Sequence, residues 1–346
     1  MARDLKLGAN IGYWAGGPPP GAAEMLREAE SLGFDSVWTA EAYGSDALIP
    51  LAWWGASTER IRLGTGIVQI SARTPAATAM AAMTLDHLSG GRLILGLGVS
   101  GPQVVEGWYG QSFAKPLARM REYIGILRDI WRREGPVTSE GPHYPLPLPE
   151  GTGLGKPLKA SIHPLREDIP IYLAAEGPKN IAMAAELCDG WLAIFYSPNY
   201  EDMYSEPLAE GFARDGARHT AEDFEVAATV PLIVTDDVES AMDAVRPMYA
   251  LYFGGMGARS ANFHANVPIR MGYEKEVQEI QDLYLSGKKQ EAAAAVPVKL
   301  IEELTLIGPA DKIRSDLEAW RESSVTTLLI SGDSQMLRSA AEIVLG

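Results

Sequence analysis

The chain has 346 residues, 47% of them hydrophobic and 22% charged, and its formal net charge is −15. This composition is that of a soluble globular protein, and the acidity argues against nonspecific binding to nucleic acid, which relies on lysine and arginine contacts to phosphates. The single cysteine, Cys188, excludes an internal disulfide, and the sequence shows neither a signal peptide nor an apolar run long enough to span a bilayer, so we expect a cytoplasmic protein with no membrane partner.

Short apolar segments alternate with helical patterns along most of the chain. Eight segments predict β-strands, and they are Leu5–Ile11, Phe34–Ala40, Ile61–Gln69, Arg92–Leu97, Ile169–Ala174, Gly190–Phe195, Phe224–Thr235 and Val325–Ser331. Helical patterns lie between them, near Gly21–Leu32, Ala47–Ser57, Pro75–Leu88, Pro116–Arg133, Pro178–Leu187, Tyr200–Arg214 and Val238–Tyr252. Such alternation is typical of a parallel sheet with crossover helices. Eight repeats favour an α/β fold of the (β/α)8 barrel type, the TIM barrel, over a doubly wound open sheet.

Two segments are too long to be simple connections. Residues 134–168, after the fourth strand, are rich in proline and glycine, and residues 254–299, after the seventh, contain a glycine-rich stretch followed by two helical patterns. Long excursions in compact domains are commonly lids or binding loops. We therefore expect a single domain over residues 1–346 with two insertions, the first a surface wrap or a lid and the second a lid over the barrel mouth.

A glycine-rich loop follows the fourth predicted strand. Residues 96–101, Gly-Leu-Gly-Val-Ser-Gly, match the G-x-G-x-x-G pattern of dinucleotide-binding folds. We reject that interpretation because the match follows the fourth strand rather than the first. In addition, the region about twenty residues later is a helix around Glu122 rather than a strand that ends in an acidic residue. Pro102 and Gly107 also argue against a helix directly after the glycines.

The sequence around this loop resembles a known family. Residues 86–92 follow the pattern Asp-x-Leu-Ser-x-Gly-Arg and precede an apolar strand and Gly-x-Gly, which is similar to the luciferase-like flavin and deazaflavin oxidoreductases. From about Leu5 to about Gly332, the chain looks like their branch that uses the deazaflavin coenzyme F420. The resemblance implies an oxidoreductase, commonly a homodimer, that transfers a hydride between the deazaflavin C5 and a small alcohol, carbonyl compound or activated alkene. An FMN-dependent monooxygenase of the same fold and a cofactor-binding barrel without turnover stay open as alternatives.

The same resemblance implies where the coenzyme binds. In relatives, the loop after the fourth strand runs beside the phosphate and ribityl chain, and a non-proline cis peptide at the end of the third strand lies against the ring; here the matching bond is Gly66–Ile67. The loop after the fifth strand is the family's phosphate position, and here Gly177-Pro178 opens a helix whose free N–H groups, together with Lys179, attract anions. The predicted coenzyme contacts are Thr39, Gly66, Ile67, Val68, Gly98, Val99, Ser100, Ala175, Glu176, Gly177, Pro178 and Lys179.

Position 42 departs from the family pattern. Deazaflavin-dependent relatives often carry Asp-His where this chain has Glu41 and Ala42, so a histidine acid or base is absent there. Glu41 and Tyr43 are the nearest groups that could carry a proton, and they are the predicted catalytic residues.

The remaining candidates lie elsewhere along the chain. We predict substrate contacts at Tyr13 and Trp14, which follow the first strand, and at His264, which shares the second insertion with Arg259 and Arg270. Arg73, after the third strand, and Lys115, before the fourth helix, are candidates for the coenzyme's anionic tail. The five histidines lack the spacing of metal ligands, so no metal site is predicted.

Overall fold

The computed structural model describes residues 3–14, 16–257 and 262–346. Its strands are β1 (Lys6–Gly12), β2 (Ser36–Thr39), β3 (Arg62–Thr65), β4 (Val68–Gln69), β5 (Leu93–Gly98), β6 (Ile171–Ala174), β7 (Gly190–Ile194), β8 (Glu225–Thr229), β9 (Leu232–Val234), β10 (Leu306–Gly308) and β11 (Thr327–Ile330). Its helices are α1 (Ala22–Ser31), α2 (Leu48–Gly55), α3 (Pro75–Ser89), α4 (Pro102–Gly107), α5 (Pro116–Arg132), α6 (Pro178–Leu187), α7 (Asp202–Phe212), α8 (Val238–Ala250), α9 (Asn266–Arg270), α10 (Glu274–Leu285), α11 (Lys289–Ala294), α12 (Val298–Leu304), α13 (Ala310–Glu322) and α14 (Ser334–Val344). Six of the eight predicted strand segments each contain one strand, and the seven predicted helices are confirmed; the segments Ile61–Gln69 and Phe224–Thr235 each contain two strands. Among the described residues, no helix combines the length and the hydropathy needed to cross a membrane.

Nine of the strands form one sheet, whose neighbours pair in the order β3-β2-β1-β11-β8-β7-β6-β5-β4, and β3 also pairs with β5. The pairing therefore closes on itself, with β3 and β4 together filling one of eight strand positions. The strands are parallel; Lys6 lies opposite Thr327, for example, and Leu95 lies opposite Ile171. The architecture is the predicted (β/α)8 barrel, in which helices connect successive parallel strands.

Tertiary contacts divide the chain into two compact units. The N-terminal unit comprises Gly12–Arg27 and Ser36–Ala174, and the C-terminal unit comprises Met1–Ile11, Glu28–Asp35 and Ala175–Gly346. Each unit has its own buried apolar residues and its own part of the predicted site, and each is described by itself below.

Helix α5 illustrates how the sequence pattern determines packing in the N-terminal unit. Its buried residues recur at intervals of three and four, so one face of the helix is apolar. Those residues include Met120, Tyr123, Ile124, Leu127, Ile130 and Trp131. This face packs against α3, and the indole N–H of Trp131 donates to the carbonyl of Ala79 at 3.3 Å. In the sheet, Gly64 accommodates Trp38, because a Cβ at Gly64 would lie 2.4 Å from the indole ring.

Aromatic residues form much of the core of the C-terminal unit. Phe195, which follows β7, contacts the rings of Tyr249, Tyr252 and Phe253 at centroid distances of 5.9, 5.3 and 4.9 Å. Helix α8 continues into a π-helical turn, Leu251–Gly255, which packs against α10. The second insertion therefore starts from a packed base, and its two predicted helices are confirmed as α10 and α11.

Two expectations are corrected by the structure. Pro102 and Gly107 do not delay a helix, because α4 spans these residues with Pro102 at the first helical position, where the missing N–H has no partner to lose. The segment predicted as one strand over Phe224–Thr235 contains two strands separated at Pro231. The second of them, β9, pairs with β10 in a separate two-stranded parallel sheet that the sequence analysis did not predict.

Candidate active site

The carboxylate of Glu41 lies at the centre of a hydrogen-bond network in the N-terminal unit. Glu41 follows β2, and its side chain is buried. Its Oε1 accepts the N–H of Gln69 at 2.9 Å, and its Oε2 accepts the N–H of Ala47 at 3.4 Å. Nη1 of Arg73 donates to both oxygens, at 2.7 and 2.9 Å, and Nη2 of Arg73 pairs with Asp46. Both oxygens of Glu41 are therefore occupied, and the carboxylate joins the chain after β2 to the end of β4.

The peptide bond between Gly66 and Ile67 is cis, as predicted, and it separates β3 from β4. The N–H of Gly66 donates to the carbonyl of Thr39 at 2.7 Å, and the carbonyl of Ile67 accepts the N–H of Glu41 at 3.2 Å. The side chain of Ile67 lies on Gly98, because a Cβ at Gly98 would be 2.7 Å from its Cδ1. The structure thus brings together the coenzyme segments predicted at the ends of the second, third and fourth strand positions.

The predicted coenzyme residues of this unit differ in accessibility. Thr39, Val68 and Gly98 are buried, and the hydroxyl of Thr39 donates to the carbonyl of Ala47 at 2.6 Å. These three buried residues support the loop around the Gly66–Ile67 bond from the interior of the unit. The residues that reach the surface, wholly or in part, are Gly66, Ile67, Val99 and Ser100.

The turn after β5 is tight. Ser100 has a φ of 59°, in the left-handed region that non-glycine residues seldom occupy and that is enriched at ligand clamps. Helix α4 begins only two residues later, at Pro102. The turn leaves Val99 and Ser100 partly exposed, as a position beside a ligand requires.

Tyr13 and Trp14 follow β1 and pack against the loop after β2. A Cβ at Gly44 would lie 2.6 Å from the carbonyl oxygen of Trp14 and 3.5 Å from the ring of Tyr13, so this close approach requires glycine. Ser45 accepts the N–H of Trp14 at 3.1 Å. Burial, with a smaller contribution from Tyr43, raises the pKa of Tyr13. The structure therefore brings the two predicted substrate residues close to the predicted catalytic residue Tyr43, whose side chain is exposed.

Sequence reasoning missed several neighbours of Glu41. The hydroxyl of Tyr109 donates to the carbonyl of Ala42 at 3.2 Å, and Nε2 of Gln69 donates to the same oxygen at 2.8 Å. Burial raises the pKa of Tyr109, and the charge of Glu41 contributes in the same direction. Arg73, considered for the coenzyme's tail, is engaged in the Glu41 network. No sequence pattern connects residues 73 or 109 with residue 41, because only the fold brings them together.

The remaining predicted coenzyme residues lie in the C-terminal unit, between β6 and α6. Ala175 is buried, whereas Gly177, Pro178 and Lys179 are exposed. Gly177 is the N-cap of α6, and no side chain caps the helix there. A Cβ at Gly177 would have no atom within 4 Å. The start of α6 is therefore open, and its partial positive charge, together with Lys179, favours an anion.

Glu176, between those residues, contacts the second insertion. Nδ1 of His264 lies 2.6 Å from Oε1 of Glu176, at an angle outside the hydrogen-bonding range. Arg270 donates to the backbone carbonyl of Glu176. The other carboxylate oxygen, Oε2, is buried and accepts no hydrogen bond from the described residues. His264 and Arg270 are thus both brought to the β6–α6 loop, while Arg259 lies outside the described residues.

Known proteins resemble this chain over almost its whole length. The family model for luciferase-like monooxygenases matches residues 8–327. A putative coenzyme F420-dependent oxidoreductase of Mycobacterium tuberculosis is 58% identical over 347 residues, which cover 99% of this chain and 100% of that protein. A 5,10-methylenetetrahydromethanopterin reductase of Archaeoglobus fulgidus is 28% identical, over 88% of this chain and 87% of that protein.

Solved structures share the fold. The coenzyme F420-dependent tetrahydromethanopterin reductase of Methanopyrus kandleri matches with a TM-score of 0.82 and 22% identity over 99% of both chains. An F420-dependent secondary alcohol dehydrogenase, solved with an F420–acetone adduct, matches with a TM-score of 0.77 and 18% identity over 98% of both chains. At these identities, the likeness establishes the barrel fold alone.

Proposed function

Because this chain belongs to the luciferase-like monooxygenase family, in its coenzyme F420-dependent branch, we propose that it is an oxidoreductase that transfers a hydride between C5 of F420 and a small organic substrate. The substrate is an alcohol, a carbonyl compound or an activated alkene. One observation carries the proposal: the cis bond Gly66–Ile67 presents an accessible face that rests on Gly98. A flat ring can stack on such a face without meeting a side chain at position 66.

Each unit, taken by itself, carries residues that suit one part of this coenzyme. A Cβ at Gly66 would have no neighbour closer than 3.6 Å, so the surface for a ring is open. Val99 and Ser100 would line the ribityl chain. In the C-terminal unit, Lys179 and the partial positive charge at the start of α6 would hold the phosphate. The residues of the N-terminal unit therefore suit an apolar ring, and those of the C-terminal unit suit an anionic group.

When bound, the deazaflavin supplies a hydride donor or acceptor at C5 and reacts poorly with oxygen, while the protein supplies binding, orientation and exclusion of water. Glu41, predicted as catalytic, has both oxygens filled by Arg73 and backbone N–H groups, which favours a positioning role for it. Tyr43 has an exposed side chain that could pass a proton to solvent or substrate. The raised pKa values of Tyr13 and Tyr109 keep both hydroxyls protonated at neutral pH, so they would act as donors.

Substrate recognition is proposed at the aromatic residues after β1. Tyr13 is 41% exposed, and Trp14, which is partly exposed, is held by Ser45 and by the ring of Trp54 at a centroid distance of 5.3 Å. Rigid aromatic side chains provide apolar contact area for a small organic molecule. His264 is retained as a substrate residue of the C-terminal unit, where it is partly exposed.

An uncharged surface supports the proposal that the protein is a homodimer. Helices α2 and α3 pack against each other and expose large apolar side chains, and α2 contains no charged residue. The exposed fractions are 69% for Ile49, 79% for Trp53, 60% for Met80 and 75% for Leu88. Exposed apolar patches of this kind mark protein interfaces. Two copies with a net charge of −15 repel each other, and contact through a face with few charged side chains adds the fewest direct like-charge contacts, so this face suits a second copy of the chain.

The decisive experiment is a titration of the purified protein with F420 and, separately, with FMN, following the fluorescence of its eight tryptophans. Tight binding of F420 and weak binding of FMN would support the proposal. The reverse preference, with oxygen uptake in the presence of reduced FMN, would identify a monooxygenase. Binding of F420 without a substrate-dependent rate across alcohols, carbonyl compounds and activated alkenes would leave a cofactor-binding barrel without turnover.

A further inference from the structure

The β6–α6 loop carries an acidic residue where an anion is expected. Glu176 precedes the N-cap Gly177 of α6, and its side chain is 16% exposed. A carboxylate at this position opposes a phosphate at the helix start through like-charge repulsion, which is strong where water is partly excluded. Its unpartnered buried oxygen adds a desolvation cost. The loop therefore needs positive charge from elsewhere before it can favour an anion.

The second insertion brings one cationic side chain and one imidazole to the loop. His264 lies 2.6 Å from the Glu176 carboxylate, and Arg270 donates to the Glu176 carbonyl. With Lys179 alone, the charge of the loop is balanced by Glu176. Arg270 adds one positive charge, and the imidazole of His264 lies against the carboxylate. The groups that offset the charge of Glu176 thus come in part from the second insertion.

The segment that carries His264 and Arg270 is held as a unit, here termed the docking segment (residues 262–270). At its start, the buried side chain of Asn262 donates to the carbonyls of Tyr252 and Phe253, both at 2.9 Å, and accepts the N–H of Ala265 at 3.2 Å. These two carbonyls belong to the π-helical turn at the base of the insertion. The ring of Tyr252 also lies 4.9 Å from the imidazole of His264. The docking segment is therefore anchored at Asn262, packs Val267 into the apolar core of the unit, and meets Glu176 through His264 and Arg270.

We propose that Glu176 is a positioning residue that couples the docking of this segment to the binding of the coenzyme phosphate at α6. Docking neutralises Glu176 and leaves Lys179 and the helix start free to attract the anion, and by reciprocity a bound anion favours docking. This inference rests on the proposed function, because it assigns the phosphate to α6. It also gives the second insertion a role beyond covering the substrate.

The test is a double-mutant cycle read out by coenzyme affinity without substrate. In His264→Ala, Glu176 loses a compensating group, so we expect F420 to bind about tenfold more weakly, within the usual range of about 5- to 150-fold for coupled sites. The phosphate-free deazaflavin fragment of F420 should bind with unchanged affinity. In Glu176→Gln/His264→Ala, the negative charge is gone, and affinity for F420 should return to within about threefold of the wild type. His143→Ala, which removes a histidine near Glu122 in the N-terminal unit, is the matched control.

Hydrogen exchange of the docking segment provides a readout independent of affinity. F420 should slow exchange of residues 262–270 in the wild type, and this response should disappear in Glu176→Gln.

Three outcomes would overturn the proposal. The double variant could keep the full loss of F420 affinity of His264→Ala, the phosphate-free fragment could bind His264→Ala more weakly by the same factor, or Glu176→Gln could retain the exchange response. Failure of the wild type to bind F420 would remove the proposed function, and inorganic phosphate would then serve as the probe. Slower exchange of the segment with phosphate in the wild type but not in Glu176→Gln would support the coupling, and no response would overturn it.

Discussion

Arg73 donates from one nitrogen to both carboxylate oxygens of Glu41, at 2.7 and 2.9 Å, while the same carboxylate accepts the N–H of Gln69. Removing one partner of a buried ion pair lowers the free energy of unfolding by up to about 3–5 kcal/mol. The amide of a glutamine keeps one acceptor oxygen, so Glu41→Gln should lose only part of that. We expect Glu41→Gln to lower the unfolding temperature and to weaken F420 binding about tenfold, because the loop of the cis bond loses its support.

The measurement is the dissociation constant of F420 alongside kcat and the unfolding temperature. Glu186→Gln, which breaks the ion pair with Arg214 in the C-terminal unit, controls for the loss of an ion pair in general. A large decrease in kcat with unchanged coenzyme affinity would contradict the positioning role and restore Glu41 as the proton carrier predicted from the sequence.

Gly98→Ala should damage the ring-binding face directly. The added Cβ would lie 2.7 Å from Cδ1 and 2.9 Å from Cγ1 of Ile67, so the isoleucine must move away from its position beside the cis bond. Overpacking of this kind costs about 1–3 kcal/mol. We expect lower stability in thermal unfolding and weaker binding of F420 and of its phosphate-free fragment by the same factor.

Gly125→Ala is the matched control for that substitution. Gly125 lies inside α5, and a Cβ there would have no atom within 4 Å. Alanine at a helix interior is favoured over glycine by about 1 kcal/mol, so this variant should be as stable as the wild type or more so. Equal behaviour of the two variants would show that contact between Gly98 and Ile67 is unimportant.

The barrel could be predicted from the sequence because its strands are buried apolar runs separated by amphipathic helices with clear punctuation. Pro75, Pro116 and Pro178 occupy first helical positions, and Gly90 adopts the left-handed cap conformation at the end of α3. The two-stranded sheet of β9 and β10 escaped prediction. Each of its strands has only three residues, and their pairing joins segments more than seventy residues apart, which periodicity cannot reveal.

Candidate site residues could be predicted only where a local pattern or the family resemblance marks them. The glycine loop and the Gly-Pro start of α6 are marked by consecutive residues, and the resemblance placed the cis bond at Gly66–Ile67, where the structure has it. The Glu41 network could not be predicted, since its members come from separate loops. Asp46 is the one member of the network with a local signal, because an acidic residue before an apolar helix is a typical N-terminal cap. The carboxylate of Asp46 accepts the N–H groups of Leu48 and Ile49, both at 2.8 Å. Its second partner, Arg73, comes from the loop after β4 and is brought near Asp46 only when β2 pairs with β3.

A charge placed on the face formed by α2 and α3 should separate the proposed dimer. Trp53→Lys puts a cation at a side chain that is 79% exposed, where burial against a second copy would desolvate it. We expect the wild type to have twice the mass of one chain in size-exclusion chromatography with light scattering, and Trp53→Lys to have the mass of one. Leu285→Lys, at an exposed end of α10, is the control and should stay dimeric. A monomeric wild type, or a dimeric Trp53→Lys, would refute this interface.

Lys179→Ala should weaken F420 binding in a manner that depends on salt. The ammonium group is exposed beside the start of α6, so its attraction for a phosphate is screened once the Debye length falls from about 30 Å at 0.01 M to about 3 Å at 1 M salt. We expect a loss of about fivefold at low salt and almost none at high salt. Lys156→Ala, an exposed lysine of the N-terminal unit, should show no such dependence. Equal weakening at both salt concentrations would indicate that Lys179 acts through packing.

His219 should make the stability of the C-terminal unit depend on pH. Its Nε2 lies 2.8 Å from Asp189, and its Nδ1 lies 2.9 Å from Asp223. Burial alone would lower the pKa of His219, but its hydrogen bonds to the two carboxylates and their charges outweigh burial and raise it. A raised pKa means that the folded state binds the proton more tightly than the unfolded state. The stabilisation is therefore complete below about pH 6.5, the unfolded value, and is lost as pH rises through the folded pKa.

The expected result is a wild-type unfolding temperature that falls by a few degrees between pH 6 and pH 9 relative to that of His219→Gln, which lacks the titrating group. The glutamine variant should be less stable than the wild type at pH 6 and similar to it at pH 9. His163→Gln, a substitution at an exposed histidine of the first insertion, should follow the wild type at every pH. Only the protonated ring is attracted by the charges of the two carboxylates. A difference in unfolding temperature between the wild type and His219→Gln that stays constant with pH would therefore contradict this prediction. It would show that the ring acts through hydrogen bonds of its neutral form.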